Sequence, residues 1–245
     1  MKLTGYKVKN KNALGLFAVA AIAAMFLIRY ILLQTGAIDE MYTLDEEELY
    51  AALDAYEVSV SCSLSGGKVQ EAGGTILDGR KISTGDEDYT LTIVTSYAAV
   101  GAAVSEEEEA GVTVTLPDSS QADGAIIAWN EEGGYALIQC RYPEELEVYY
   151  SRDILYRLDE EEPLYVLAYG EVLSGTGAQT DSGADGIGED LIRGQLELSE
   201  EMILAGSGLY GKSGNYLGMV LRGEEDGAIY AVPGDVIMAA LDAAL

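Results

Sequence analysis

Histidine is absent from all 245 residues, and that absence excludes a large part of enzyme chemistry. Hydrolytic triads need a base near pKa 7, and His is the usual one. From its own side chains the chain cannot run a Ser-His-Asp or Cys-His mechanism, nor build the common His-containing zinc sites. Basic residues are also scarce. Of 14 Lys and Arg, five (Lys2, Lys7, Lys9, Lys11 and Arg29) precede residue 34, leaving nine against all 42 acids, a net of −33. Such a surface repels phosphate backbones and excludes nucleic acid as a partner. It favours solubility, basic partners and loosely held cations, although a solvated acidic face is the ordinary explanation. Cysteine is down to Cys62 and Cys140. An oxidising compartment permits a disulfide between them. Because both sit in strand-like runs, two buried thiols packed as small hydrophobes are the preferred expectation.

Acid is missing only at the start. Residues 1–12 form a basic tail, and Ala13 to Ile28 is uncharged and apolar. With Tyr30 to Leu33 the stretch reaches about 30 Å as a helix, enough to span a bilayer. Arg29 lies near one end, where its long stem can snorkel. A removable signal peptide is the alternative, but the run is long for one and no clear small-x-small site follows it. Residues 13–33 are therefore expected to be a transmembrane signal anchor. The four preceding lysines place the N-terminus in the cytoplasm, and a single-pass protein with its main domain outside is the expectation.

Residues 34–56 read as a linker and a short acidic helix. Thr43-Leu44-Asp45-Glu46 has capping-box spacing, with Thr43 as N-cap and Glu46 reaching back. Leu44, Leu49, Ala52, Leu53 and Tyr56 would form one apolar face. After Glu57 the period changes to two: Val58, Val60, Cys62 and Leu64 alternate with serines. Further strands are expected at 74–77, 91–95, 112–116, 125–129 and 135–140. The turn signals between them include Ser65-Gly66-Gly67, Asp78-Gly79, Asp123-Gly124 and Gly133-Gly134. A second set is expected at 146–149, 164–168, 191–198, 217–221 and 228–232, and the spacing over Gly234–Leu245 is helical. Gly175–Asp190 reads as a long flexible loop. Two β units in tandem (57–145 and 146–245) with a closing helix are the coarse organisation.

An ordered series of segments resembles the HtrA/DegP branch of the trypsin-like serine proteases. Gly73-Gly74-Thr75-Ile76-Leu77-Asp78-Gly79 is similar to that family's opening G-S-G strand. Ile93 to Val100 resembles its L-T-N-x-H-V-V segment, and Val112 to Leu116 followed by Asp118 its V-x-V-x-L-x-D-G strand. Ile126 to Cys140 resembles V-V-G-x-D-x-x-x-D-L-A-L-L-K-V without a gap. Leu146-Glu147-Val148 through Tyr165–Gly170 resembles the segment from L-P-x to V-x-A-I-G. Ala205-Gly206-Ser207-Gly208 looks like the nucleophile turn G-N-S-G, and Ala228 to Pro233 like G-F-A-I-P before the terminal helix. The resemblance covers roughly residues 45–245; each motif alone is weak and their order carries the weight. It implies an all-β fold: two antiparallel six-stranded chymotrypsin-like β-barrels, preceded by the transmembrane and short helices and closed by a C-terminal helix. The family's usual PDZ domain is not expected after the closing helix.

Residue by residue, the resemblance puts the catalytic His slot at Ala98, the Asp slot at Gly134 and the nucleophile slot at Ser207. The oxyanion-hole remnant would be Ala205, Gly206 and Ser207. Ala205 replaces a glycine whose backbone angles are unusual, and Leu209-Tyr210 replaces Gly-Pro, which implies a remodelled loop. Ser207 as a turn residue is the plain reading. In a measured triad protease, loss of the His costs about 10⁶ in turnover. A rescued hydrolase would need Lys68, Lys81 or Lys212 within reach of Ser207, or a base from a partner; Tyr97 has too high an ordinary pKa.

Other residues invite weaker readings. Asp181, Asp185, Glu189 and Asp190 could gather calcium, but their spacing fits no recognised ligand loop. Glu131 and Glu132 read as a polar hairpin rather than a glycosidase pair. Tyr149, Tyr150, Tyr156, Tyr165 and Tyr169 could form a contact surface, with rim packing the default. No metal and no cofactor are expected. The expectation is a membrane-anchored pseudoprotease that binds or scaffolds a protein or peptide. A Ser207 hydrolase and a purely structural envelope protein are the rivals.

Overall fold

A computed structural model describes residues 24, 28, 43–81, 89–104, 110–143, 146, 162–168, 170–179, 191–197, 204–224 and 226–245. The chain divides into two units, Met1–Thr43 and Leu44–Leu245. Of the first unit only Ala24 and Ile28, both helical, and Thr43 are described. The expected anchor at 13–33 otherwise lies outside the described residues, and among those residues no helix is long and apolar enough to cross a membrane.

The second unit opens with helix α1, Glu46–Leu53, which runs into a single 3₁₀ turn at Asp54–Tyr56. Its capping box starts two residues later than the Thr43 spacing predicts. The Asp45 carboxylate accepts from the Glu48 N–H at 2.9 Å, and Glu48 accepts from the Asp45 N–H at 3.2 Å. The shift leaves Leu44 outside the helix, where its N–H donates to the Lys212 carbonyl at 2.8 Å. Leu49, Leu53 and Tyr56 are buried one turn apart against Leu167 and Tyr210. Ala52, expected on that face, is exposed.

Six strands follow: β1 (Glu57–Ser63), β2 (Val69–Lys81), β3 (Tyr89–Ser96), β4 (Gly111–Thr115), β5 (Gln121–Asn130) and β6 (Tyr135–Tyr142). They close into an antiparallel barrel in the order β1-β2-β3-β6-β5-β4. A short helix, α2 (Tyr97–Val100), leaves β3. The second barrel holds β7 (Glu162–Ala168), β8 (Glu171–Gln179), β9 (Ile192–Leu196), β10 (Gly208–Gly211), β11 (Tyr216–Gly223) and β12 (Ala228–Pro233). It closes in the same relative order, β7-β8-β9-β12-β11-β10, so the tandem duplication extends to topology. Helix α3, Gly234–Ala244, ends the chain.

Several boundaries differ from expectation, and glycine chemistry explains most of the differences. Asp78-Gly79 and Asp123-Gly124 lie inside β2 and β5 rather than in turns. A bulge between Ile76 and Asp78 shifts the β2–β3 register. A Cβ on Gly124 would stand 2.8 Å from Ile138 Cγ2 and 3.0 Å from Val112 Cγ1, so this glycine lets the barrel wall close over its core. Residues 175–179, expected in a flexible loop, are the second half of β8. Gly175 there backs onto the Gln195 carbonyl with no room for a Cβ. Leu146 is not in a strand, and the rest of the expected strand at 146–149, like residues 180–190, lies outside the described residues.

Alternation directs one face of each strand into its own barrel. Val60, Cys62, Ile76, Leu91, Ile93, Val114, Ile138 and Cys140 fill the first; Leu164, Val166, Leu209, Val220 and Ile229 fill the second. The opposite faces of β2, β3 and β6 (Leu77, Val94, Leu137) meet Met219, Val232 and α3 residues Ile237 and Leu241 in a seam between the barrels. Neither cysteine is in a disulfide, and both are buried. Burial pushes the Cys140 thiol up to about 11.

Candidate functional site

Strand β3 carries Thr95 to the seam and α2 places Ala98 one helical turn beyond it. The β5–β6 hairpin brings Gly134 alongside: Ser96 pairs with Tyr135, and the Tyr97 N–H donates to the Gly134 carbonyl at 2.9 Å. Ala98 and Gly134 are therefore neighbours at one end of the first barrel. Gly134 holds a left-handed φ of 72°, which favours glycine. Where a Cβ would point, the Leu221 Cδ1 methyl of β11 already stands. Ala98 itself is exposed.

Ser207 reaches the same region from the second barrel, in the turn before β10. Gly206 has φ 89°, and its N–H donates to the Val220 carbonyl at 2.8 Å while the Val220 N–H donates to the Ser207 carbonyl at 2.9 Å. Across the seam the Gly73 N–H donates to the Ala205 carbonyl at 2.9 Å, and Thr95 Oγ1 donates to the Gly73 carbonyl at 2.7 Å. A Cβ on Gly73 would lie 2.6 Å from Ser207 Oγ. The turn thus rests on β2 and β3, through Gly73 and the Thr95 that sits three residues before Ala98. Ser207 is 2% exposed. Its N–H, part of the oxyanion-hole remnant that the resemblance implies, donates to the Leu204 carbonyl at 3.1 Å.

Neither described lysine side chain is placed to serve Ser207. Lys212 lies beyond β10 in a turn closed by Gly214 N–H to the Gly211 carbonyl, five strand-like steps or about 16 Å along the chain from Ser207. Lys68 lies in the β1–β2 hairpin, equally far along β2 from Gly73. The Lys81 side chain and residues 181–190 lie outside the described residues. Among the described residues no group of three His, Cys, Asp or Glu could hold a metal ion. Glu131 and Glu132 are exposed in a hairpin turn, which Gly133 N–H to Asn130 Oδ1 (2.8 Å) helps to close.

Sequence reasoning missed the pocket beside Ser207. This cleft, of about 450 Å³, is lined by Ser207, Gly73, Asp54, Glu57, Glu71 and Ser119 among others. Its residues span Asp54 to Ser207 in sequence, so no local motif announces them; only the outward positions of β1 and β2 gave a signal. One wall is the Leu116–Ser120 turn, held by Leu116 N–H to the Ser120 carbonyl (2.9 Å) and Ser119 N–H to the Leu116 carbonyl (2.8 Å). Asp118 Oδ1 accepts from both Ser120 N (2.9 Å) and Ser120 Oγ (2.6 Å), and these bonds hold its carboxyl below the ordinary value. Ser119 takes a φ of 66°, uncommon for a residue with a Cβ. Close to the opposite wall, the Tyr50 hydroxyl is raised above its usual pKa, first by its hydrogen bond to Asp54, then by burial and by the charges of Asp54 and Glu57.

Neither a protein-family model nor a curated protein matches the chain. Solved structures do. The Rv3671c protease from M. tuberculosis in its active form is similar with a TM-score of 0.59 and 12% identity, over 80% of this chain and 83% of that one. A serine-to-alanine mutant of Rv3671c in an inactive form gives a TM-score of 0.55 and 13% identity, over 80% and 89%. At such identities the likeness is one of fold: two closed six-stranded barrels with a C-terminal helix, the chymotrypsin-like architecture of trypsin-like protease domains.

Proposed function

We propose that this protein is a membrane-anchored, extracytoplasmic pseudoprotease of HtrA-like descent that binds or scaffolds a protein or peptide without cleaving it. One observation carries the reading: where the resemblance puts the base and its orienting carboxylate stand Ala98 and Gly134, and Leu221 occupies the space the carboxylate would need. A serine without a base is a poor nucleophile. Ser207 has further handicaps, since its N–H is engaged by Leu204 and the described lysine side chains are a strand's length away. What remains is a cleft between rigid barrels, the usual place for a ligand on such a scaffold.

The test exposes the purified full chain to a fluorophosphonate probe and, separately, to casein. No labelling of Ser207 and no cleavage are expected. Labelling or casein cleavage that is lost on Ser207→Ala would overturn the proposal and establish a hydrolase with an unconventional base. Alkaline phosphatase fusions at residue 40 test the topology: activity is expected, and its absence would put the domain in the cytoplasm.

A further inference from the structure

One face of the second barrel runs against the chain's overall charge. From residue 34 onward nine basic residues stand against 42 acids, yet two of the nine converge on a single ring. Tyr230 of β12 pairs directly with Arg193 of β9 on one side and with Arg222 of β11 on the other, so the three side chains share one face of the sheet. The guanidinium carbon of Arg222 lies 4.4 Å from the Tyr230 ring centroid and that of Arg193 5.7 Å, both within cation–π range. The face is the outer one, because Ile229 and Ala231, which flank Tyr230 along β12, are buried in the barrel core. A bulge puts Arg222 there. The β11–β12 register runs from Val220 opposite Ala231 to Arg222 opposite Tyr230, with Leu221 left over. In an unbroken ladder Leu221 would face Tyr230, and Arg222 would point into the barrel with Val220. Bulges re-aim side chains in this way beside functional sites.

We propose that the Arg193–Tyr230–Arg222 face docks an extended acidic segment of a partner protein, whose carboxylates at alternate positions pair with the two guanidiniums across the Tyr230 ring. Strands β9 and β11, one strand apart, set the two arginine backbones about 10 Å from each other. Alternate residues of an extended chain lie about 7 Å apart on one side, and glutamate side chains span the difference. A guanidinium held over a ring keeps its N–H donors in its own plane, where a carboxylate can take two of them at once. The Arg222 side chain is 54% exposed, and its one ion pair among the described residues, Nε to Glu224 Oε1, is 3.7 Å long, beyond hydrogen-bond length. Carboxylate suits the face better than phosphate does, because Glu224 repels a dianion about twice as strongly as a monoanion. A second copy of this chain, with its formal charge of −28, is repelled as a whole, so the occupant is a different protein. None of the three residues lines the cleft beside Ser207. The inference goes beyond the pseudoprotease reading and stands whether or not Ser207 is reactive.

The experiment measures binding of fluorescently labelled acetyl-Ala-Glu-Ala-Glu-Ala-amide to the full chain by anisotropy, beside the peptides with glutamine or phosphoserine in place of glutamate. The glutamate peptide is expected to bind and to shift the Arg222 Nε–H resonance in the NMR spectrum of the arginine-labelled chain. The glutamine peptide should bind at least tenfold more weakly. Arg222→Gln should weaken glutamate-peptide binding about three- to tenfold, as expected for one partly screened charge pair. Arg222→Lys keeps the charge but loses the planar fork, and should weaken it about two- to fivefold. Arg141→Gln, at an exposed arginine of β6 in the first barrel, is the control for general charge and should leave binding within twofold. Equal affinity for glutamate and glutamine peptides, equal losses from Arg222→Gln and Arg141→Gln, or no binding at millimolar peptide would overturn the inference. Tighter binding of the phosphoserine peptide would overturn the choice of carboxylate, and sedimentation that finds a dimer lost on Arg222→Gln would overturn the choice of a different protein. Arg222 is exposed, so its variants fold; a melting curve for each verifies this.

Discussion

Gly206 is the residue whose replacement tests the site geometry most directly. It holds φ 89°, and Gly66, in the open β1–β2 hairpin, holds the same φ of 89°. A Cβ on Gly66 meets nothing within 4 Å, whereas a Cβ on Gly206 runs into the Gly73 carbonyl and lies 3.1 Å from Thr95 Oγ1. The two alanine substitutions therefore share the left-handed backbone penalty, about 1–2 kcal/mol, and the same gain from a stiffer unfolded chain. They differ only in the contact. Forcing a methyl against a backbone carbonyl that cannot swing aside costs about 1–3 kcal/mol. Disturbing the 2.7 Å bond from Thr95 to that carbonyl adds roughly 1 kcal/mol. Gly206→Ala should then destabilise by about 3 kcal/mol more than Gly66→Ala. For a folded unit of this size that is roughly 6–12 °C in Tm. Urea denaturation of the full chain, followed by fluorescence of Trp129 and the tyrosines, measures both variants with unchanged m-values. Equal losses at the two positions would refute the claim that the Ser207 turn is pressed onto β2.

The cysteines should resist modification in the folded state. Iodoacetamide at pH 8 is expected to label neither Cys62 nor Cys140 on a timescale that labels both in urea, since burial and a Cys140 thiol raised to about 11 keep the thiolate fraction near 10⁻³; rapid native labelling would contradict their placement in the barrel core. Refilling the slots with Ala98→His and Gly134→Asp together should yield no hydrolysis and a loss of about 2–5 kcal/mol from the left-handed backbone and the overlap with Leu221, with Leu221→Ala on that background recovering part of the overlap cost; casein cleavage by the double variant would show that Leu221 does not block the slot. Asp118, lowered from 3.8 by its bonds to Ser120, stabilises the 116–120 turn fully above that ordinary value and ceases to do so as pH falls through its lower folded value. An NMR titration of the Asp118 carboxyl carbon should find its midpoint below that of the unfolded chain; a midpoint at or above it would remove the Ser120 bonds from the account.

Alternation made the strands legible. Val58, Val60, Cys62 and Leu64 alternate with serines because one face of β1 looks into the barrel, and the same rule found β3, β6, β7, β11 and β12. The glycines misled. Asp78-Gly79 and Asp123-Gly124 look like turns, yet Gly124 sits mid-strand because Ile138 and Val112 leave no room for a side chain. Strand β10 was hidden by the short Gly-Leu-Tyr-Gly run, whose burial depends on β7 and β11 rather than on any local pattern. The capping box admitted two registers, and the Leu44–Lys212 bond selects the later one. Motif order alone singled out Ala98, Gly134 and Ser207. The carboxylates of Asp54, Glu57 and Glu71 were not, because only closure of the barrel brings them to Ser207.

The resemblance invites a chemical explanation of Ser207, but this turn has a structural reason to persist. Ala205 accepts a hydrogen bond from Gly73, Gly206 and Ser207 exchange backbone bonds with Val220, and Thr95 braces the Gly73 carbonyl. Through these bonds the turn joins β2 of the first barrel to β11 of the second. Replacing Gly206 damages that junction whatever Ser207 does. The positions at 98 and 134 carry no such load: Ala98 is exposed, and a leucine methyl fills the space beside Gly134. On the proposed non-catalytic reading, the scaffold is free to change those two residues and must keep the turn. By this logic Ser207 persists with the turn, and only reactivity toward an electrophile, not its presence, would argue for catalysis.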